Sequence, residues 1–96
     1  MRESAIERHL DTEVRRAGGA TRKFLGRKAN PDRIVIWPNT NEYLGACVHF
    51  IELKKPGGKP RADQARELAR LRAMGCNALY LDTKELVDQY VEAWRD

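Results

Sequence analysis

Apolar residues recur every three or four positions at the start of the chain, which predicts an amphipathic helix over residues 2–17. Gly18 and Gly19 follow, and glycine is the residue that most often ends a helix. At about 100° per residue, Glu3 and Glu7 fall close to the apolar stripe. We therefore expect these two carboxylates to face inward or toward a cleft. The stripe consists of Ile6, Leu10, Val14 and Ala17.

Two short runs rich in β-branched and aromatic residues predict neighbouring strands. The first is RIVIW, residues 33–37, and the second is ACVHFIELK, residues 46–54. The turn-rich segment between them suits an antiparallel pair with a long connection. Because side chains alternate along a strand, Glu52 and Lys54 share one face of the second strand. His49 lies on the opposite face, which favours a packing or surface role.

The rest of the chain predicts a helix, a strand and a second helix. Residues 61–74 have helical spacing with Gly75 behind them, and NALYL, residues 77–81, reads as a third strand. A helical crossover makes this strand parallel to the one before it. Asp82 and Glu85 have the spacing of a capping box that opens the last helix. The apolar positions are Ala65, Leu68, Ala69 and Leu71 in the first helix and Leu86, Val87, Tyr90, Val91 and Trp94 in the second.

The predicted order of elements is αββαβα, a small α/β domain with a three-stranded mixed sheet and helices packed on it. All 96 residues fit one domain, and 42% hydrophobic with 33% charged residues is typical of a chain that folds. A domain of this size buries a modest share of its surface, which favours a homodimer. There is no apolar leader and no apolar run near the ~20 residues of a membrane span, so we expect a cytoplasmic protein. Cys47 and Cys76 lack the spacing of zinc ligands or of a disulfide framework, and we expect buried thiols in a reducing compartment.

Positive charge is concentrated in two segments. The formal net charge of +4 favours a polyanionic partner. One basic segment precedes the first predicted strand and the other follows the second strand, whereas the stretch from Asp82 onward is net acidic. Both basic segments are therefore candidates for phosphate contact. The candidate residues are Arg22, Lys23, Arg27, Lys28, Lys55, Lys59 and Arg61.

Two carboxylates and one lysine are expected to converge. Asp32 begins the first predicted strand and Glu52 lies near the end of the second, so antiparallel pairing brings both to the same edge of the sheet. Two oxygen ligands there suit a hard divalent ion such as Mg²⁺ or Mn²⁺. Lys54 lies one pleat beyond Glu52 on the same face. Such a set suits metal-assisted hydrolysis of a phosphodiester, in which an ammonium group steadies the attacking water or the developing charge.

These residues also carry a resemblance to a known family. NPD followed by RIVI, and then FIELK, resembles the PD-(D/E)xK nuclease signature. The chain is similar in particular to the stand-alone VRR-NUC (virus-type replication-repair nuclease) domain, in which a PDR strand, an ELK strand, a basic Gly/Pro loop and a Gln opening the next helix follow in that order. PRADQ supplies the last part, and the likeness covers nearly the whole chain. The family usually has glycine where this chain has Ala29, which restricts the backbone approaching Asp32.

The resemblance implies a restriction-endonuclease-like fold and a metal-dependent endonuclease. Its Mg²⁺ or Mn²⁺ ligands are then Asp32, Glu52 and the backbone carbonyl of Leu53, with Lys54 as the catalytic lysine and Gln64 as a supporting residue. The family's first-helix glutamate falls on Glu7 or Glu3. The segment SAIERHL is similar to the Ser-Ala-hydrophobic-Glu-Arg pattern of archaeal Holliday-junction resolvases, which favours Glu7. In this interpretation Glu7 binds the metal ion through a water molecule, and Glu3 is the second candidate.

The resemblance further implies a homodimer that cuts Holliday junctions or other branched DNA. We expect the basic residues given above to bind the DNA. The expected setting is the cytoplasm of a bacterium or of a phage-infected host cell. Two alternatives stay open from the sequence. The first alternative is a basic DNA-binding module without catalytic activity, and the second is a nuclease that acts on linear DNA, flapped DNA or RNA.

Overall fold

The computed structural model describes residues 2–38 and 48–95. Within these ranges seven elements follow one another in the order αβββαβα. No helix in the described ranges is both long enough and apolar enough to cross a membrane. The helices are α1 (Glu3–Arg16), α2 (Ala62–Ala73) and α3 (Lys84–Trp94), and the strands are β1 (Ala20–Lys23), β2 (Arg33–Ile36), β3 (Val48–Leu53) and β4 (Asn77–Leu81).

The four strands form one mixed sheet in the order β1-β2-β3-β4. The β1–β2 and β2–β3 pairs are antiparallel, and β4 is parallel to β3. The predicted α/β class and mixed sheet are thus confirmed. The sheet has one strand more than predicted, because β1 occupies part of the basic segment that we interpreted as a connection. β1 is an edge strand with two exposed residues, so its sequence carries no apolar alternation to reveal it.

Helices cover both faces of the sheet. On one face, α1 and α3 enclose the main core, and on the other face α2 packs Leu68 and Leu71 near Phe50 and Ala78. The main core consists of Ile6, Leu10, Val14, Val35, Trp37, Ile51, Leu53, Leu81, Val87, Tyr90 and Val91.

The turn after α1 needs its two glycines for different reasons. Gly18 has a φ of +97°, a conformation that other residues rarely adopt. At Gly19 a Cβ atom would lie 2.8 Å from Val14 and 2.9 Å from Trp37. The chain therefore turns tightly enough to bring α1 directly against the sheet.

The buried face of α2 differs from the prediction. Gln64 and Glu67 are buried with the two leucines of this helix, whereas Ala65 and Ala69 are exposed. Alanine offers little apolar area to either face, so the leucines decide which side packs on the sheet.

The start of α3 also differs. Thr83 is the N-cap, and its hydroxyl accepts a hydrogen bond of 3.1 Å from the backbone N–H of Leu86. Asp82 is engaged elsewhere, because its carboxylate accepts from the backbone N–H of Gly57 at 3.1 Å. The predicted capping box is therefore wrong, and Leu86 and Trp94, predicted as buried, are partly exposed.

A buried polar chain ties β3 to α3. Trp37 Nε1 donates to the Tyr90 hydroxyl at 3.0 Å, and that hydroxyl lies 2.6 Å from His49 Nδ1. Burial lowers the pKa of His49 to about 4, so the imidazole is neutral at pH 7 and hydrogen-bonds to the tyrosine hydroxyl. His49 thus has the predicted packing role.

Cys76 is a half-buried free thiol, while Cys47 and the predicted start of the second strand lie outside the described residues.

Candidate active site

The register of the sheet brings Asp32 and Glu52 together. β1 and β3 end at one edge of the sheet, and β2 begins there. Continuing the β2–β3 register one residue beyond the Arg33–Ile51 pair places Asp32 opposite Glu52. We call this edge, defined by Asp32 and Glu52, the carboxylate edge.

Backbone contacts on both sides hold Asp32. Its Oδ2 accepts a hydrogen bond of 2.8 Å from the backbone N–H of Leu53. Its carbonyl accepts from the backbone N–H of Phe24 at 3.1 Å, which continues the β1–β2 ladder by one residue. The carboxylate is therefore aimed at β3, beside the residue that follows Glu52.

The alanine in place of the family's usual glycine does not strain this approach. Among the described residues only glycines have a positive φ, so Ala29 is in an ordinary conformation. Gly26 takes the unusual φ of +126° instead. A backbone hydrogen bond of 3.0 Å from Asn30 to Arg27 then closes the turn before Asp32.

Glu52 is buried against Asp32. Its side chain is 1% exposed, and its Oε2 has no hydrogen-bond partner among the described residues. Burial, followed by the hydrogen bond and charge of Asp32, raises the pKa of Glu52 to about 8, while Lys54 opposes this shift and Glu3 adds to it. In the metal-free protein this shift favours the protonated form of the Glu52 carboxyl group at neutral pH. Two carboxyl groups facing each other with one unsatisfied buried oxygen are a donor set that a hard cation satisfies.

Lys54 follows β3 and stands beside this pair. Its positive charge acts on Glu52, and its backbone N–H donates to the Leu81 carbonyl at 3.0 Å. A Cβ atom at Gly58 would lie 3.3 Å from Lys54 Cβ, so the glycine lets the following turn close over the lysine. That turn is further held by the Gly57–Asp82 hydrogen bond, and the lysine stem is thereby restrained.

The two first-helix acids are placed differently. Glu7 Oε1 accepts from Arg33 Nη2 at 3.2 Å, and the same nitrogen lies 2.7 Å from Asp11 Oδ2. Glu7 thus lies in the cleft beside Asp32 but is partly neutralised by Arg33. Glu3 is exposed and close enough to act on the charge of Glu52. Glu7 is therefore a candidate because it lines the cleft, and Glu3 is a candidate because its charge acts on Glu52.

Gln64 has a structural contact in the described residues. Its Oε1 accepts from the backbone N–H of Arg61 at 2.9 Å and closes the first turn of α2. The side chain is 6% exposed. Gln64 therefore fixes where α2 begins after the basic loop.

The first basic segment borders a cleft at the carboxylate edge. The cleft has a volume of about 330 Å³ and includes Lys23, Arg27 and Lys28 together with Asp32. Arg22 is exposed and donates to the carbonyl of Thr21. The second basic segment carries the exposed residues Lys55, Lys59 and Arg61 and starts from the same edge, since it follows β3 directly.

Arg33 and Asp82 were missed as positioning residues by the sequence reasoning. Arg33 is nearly buried between two carboxylates of α1, and Asp82 anchors the loop after Lys54. A signal for Arg33 was present, because an arginine that starts a buried strand needs acidic partners. Nothing in the sequence indicated the partner of Asp82, since that contact depends on how the loop after β3 folds back.

The described residues offer two carboxyl groups to a divalent ion at the carboxylate edge. Within residues 2–38 and 48–95 no three His, Cys, Asp or Glu side chains form a metal-binding group. Asp32 and Glu52 instead face each other as two candidate oxygen donors, and the backbone carbonyl of Leu53 stays the third donor predicted from the sequence. The unpartnered, buried Oε2 of Glu52 is the observation that favours a cation there.

Comparisons with known proteins place the chain among nucleases. It is 44% identical over 88 residues to the protein named "Putative nuclease p44" of Acyrthosiphon pisum secondary endosymbiont phage 1, which covers 90% of this chain and 88% of that protein. A solved structure described as "VRR_NUC domain" is similar, with a TM-score of 0.80, 27% identity and 96% of both chains covered. A scan against family models finds no match.

Proposed function

Because this chain belongs to the VRR-NUC family of nucleases, we propose that it is a metal-dependent endonuclease that hydrolyses phosphodiester bonds in DNA. The observation that carries the proposal is the buried Glu52, whose unpartnered oxygen lies at the carboxylate edge with Asp32 and the charge of Lys54 beside it. Burying an acid against another acid lowers stability. We therefore infer that the arrangement serves to bind a cation and not to stabilise the fold.

We assign the ligands from the donor set. Asp32, Glu52 and the carbonyl of Leu53 would hold Mg²⁺ or Mn²⁺. When bound, the ion would polarise the phosphate as a Lewis acid and lower the pKa of a water molecule. Lys54 steadies the attacking water and the negative charge that develops on the phosphate. Gln64 supports the site by fixing the start of α2.

The first-helix acid is Glu7, with Glu3 as the second candidate. Glu7 lies in the cleft with Asp32, whereas Glu3 acts on Glu52 from the N-terminal turn of α1. Glu3→Gln and Glu7→Gln variants separate the two. The variant that loses cleavage while keeping its melting temperature identifies the acid, and a loss of stability in Glu7→Gln alone assigns Glu7 to the Arg33 pair.

Branched DNA and a homodimer complete the proposal. Two basic segments leave the same edge of the sheet, which gives the site a phosphate-binding surface on either side. Tyr80 on the edge strand β4 and Leu86 and Trp94 on α3 are exposed apolar side chains that a partner copy could cover. Sedimentation equilibrium tests the dimer, and a monomer at micromolar concentration contradicts it.

Cleavage assays test the proposed reaction. The protein is incubated with a four-way junction, a flapped duplex, a linear duplex and single-stranded RNA in Mg²⁺, Mn²⁺ or EDTA. We expect metal-dependent cutting of the branched DNA, lost in Lys54→Ala and retained in Arg95→Ala, which removes an exposed cation at the end of α3. Binding without a product under any condition supports a DNA-binding module instead, and preferential cutting of linear DNA or RNA contradicts the branched substrate.

A further inference from the structure

Leu25 is the most exposed large apolar side chain among the described residues, at 81% exposed. Single exposed leucines are common on protein surfaces. This one lies in the β1–β2 loop, residues 24–32, which leaves and returns to the carboxylate edge. Leu25 and Asp32 line the same cleft, so a substrate bound at Asp32 lies within reach of this exposed side chain.

The β1–β2 loop is anchored at its base and along its length. The Phe24 ring packs on Phe50 with 5.6 Å between centroids, and the Phe24 N–H bonds to the Asp32 carbonyl. Arg27 Nη2 lies 3.6 Å from Glu67 Oε1 on α2. These contacts fix the position of the loop, and Leu25 projects from it into solvent.

Positive charge surrounds this leucine. Lys23, Arg27 and Lys28 border the same cleft as Leu25 and Asp32. A lone apolar side chain among cations lacks the contiguous apolar area of a protein-docking surface. Nucleic acid alternates phosphates with apolar base faces, and apolar wedges flanked by basic residues insert where bases unstack.

Resting on the proposed cleavage of DNA, we infer that Leu25 is a wedge that packs against a base exposed at an interruption of the duplex. The three basic side chains hold the phosphates on either side, and the interruption is thereby set beside Asp32 and Glu52. The substrate is then DNA whose stack is broken next to the scissile phosphate, as at a branch or flap. Leu25 supplies selectivity for DNA structure and reads no base sequence.

Fluorescence and binding in EDTA test the wedge without requiring cleavage. The probes are a four-way junction with 2-aminopurine at the branch and a linear duplex of the same sequence. Wild-type protein should brighten the junction probe, because 2-aminopurine brightens when it leaves the stack. Leu25→Ala should lose most of this signal and lower the ratio of junction to duplex affinity about tenfold, with duplex affinity unchanged.

Two variants control the experiment. Met74→Ala removes a side chain that is 71% exposed at the end of α2, and it should change neither reading. Leu25→Met should keep the brightening, because an apolar side chain of similar volume still packs against the base. Neither change at Leu25 should shift the melting temperature, since the side chain is exposed.

The outcomes for the wedge and for catalysis are distinct. The wedge is overturned by unchanged brightening in Leu25→Ala, by equal losses of its affinity for junction and for duplex, or by loss of the signal in Leu25→Met. A protein that brightens the probe through Leu25 and cuts no DNA in Mg²⁺ or Mn²⁺ refutes the proposed reaction and keeps the wedge. Failure to bind either DNA overturns both.

Discussion

Replacing Glu52 by glutamine is expected to stabilise the metal-free protein at neutral pH. Burial and Asp32 raise the pKa of Glu52 from 4.5 to about 8 in the folded state. Across this window the folded protein keeps a proton that the unfolded chain has released, so stability falls as the pH rises. At about 1.4 kcal/mol per pH unit, the loss at pH 7 relative to pH 4.5 is on the order of 3 kcal/mol. Glutamine keeps the shape, carries no charge and donates a hydrogen bond to Asp32.

Urea unfolding in EDTA at several pH values measures this effect. Because the contributions of acids away from this pair cancel between the two proteins, the difference between them isolates the Asp32–Glu52 pair. Glu52→Gln should be more stable at pH 7 by on the order of 3 kcal/mol and nearly equal to wild type at pH 4.5. Saturating Mn²⁺ should narrow the gap, since an ion at a hundred times its Kd adds about 2.7 kcal/mol to the protein that retains both carboxylates.

Glu67→Gln is the matched control. Glu67 is also buried, but its Oε1 lies 2.8 Å from Arg70 Nη2. Removing its charge should therefore lower stability at pH 7, the opposite sign. If Glu52→Gln is less stable than wild type at pH 7 in EDTA, or if the difference does not depend on pH, the reasoning about the carboxylate pair is refuted.

Three further substitutions give separate readings. Lys54→Ala should lower the rate of DNA cleavage on the order of 100-fold with little change in DNA affinity by gel shift, and an equal loss of affinity contradicts its catalytic role. Lys28→Ala should reduce the slope of log affinity against log salt by about 1, and an unchanged slope means that it contacts no phosphate. Arg33→Ala removes the partner of Glu7 and Asp11 and should lower the free energy of unfolding by about 3 kcal/mol, whereas a loss under about 1 kcal/mol contradicts a stabilising role of these ion pairs.

The parts of the fold that the sequence predicted are those with strong apolar periodicity. The stripe of α1, the apolar run of β2 and the alternation of β3 each identify an element because burial on one face dictates residue type. β1 was missed because it is a short edge strand with polar residues. The side of α2 that packs was misjudged because alanine fits either environment.

The candidate site could be anticipated because it depends on register. Once β2 and β3 pair antiparallel, Asp32 and Glu52 must meet at one edge, and Lys54 follows on the same face. The contacts that position the site could not be anticipated in the same way. Arg33 with Glu7, and Asp82 with Gly57, join residues far apart in the chain, and they depend on how helices and loops pack around the sheet.

Diffraction from crystals soaked in Mn²⁺, recorded near the manganese absorption edge, tests the central claim most directly. The account predicts an anomalous peak bonded to the carboxylates of Asp32 and Glu52 and to the carbonyl of Leu53, with Lys54 adjacent, and no peak in Glu52→Gln crystals. A wild-type crystal saturated with Mn²⁺ that shows no peak at the carboxylate edge, with the side chain of Glu52 still packed against Asp32, would contradict it.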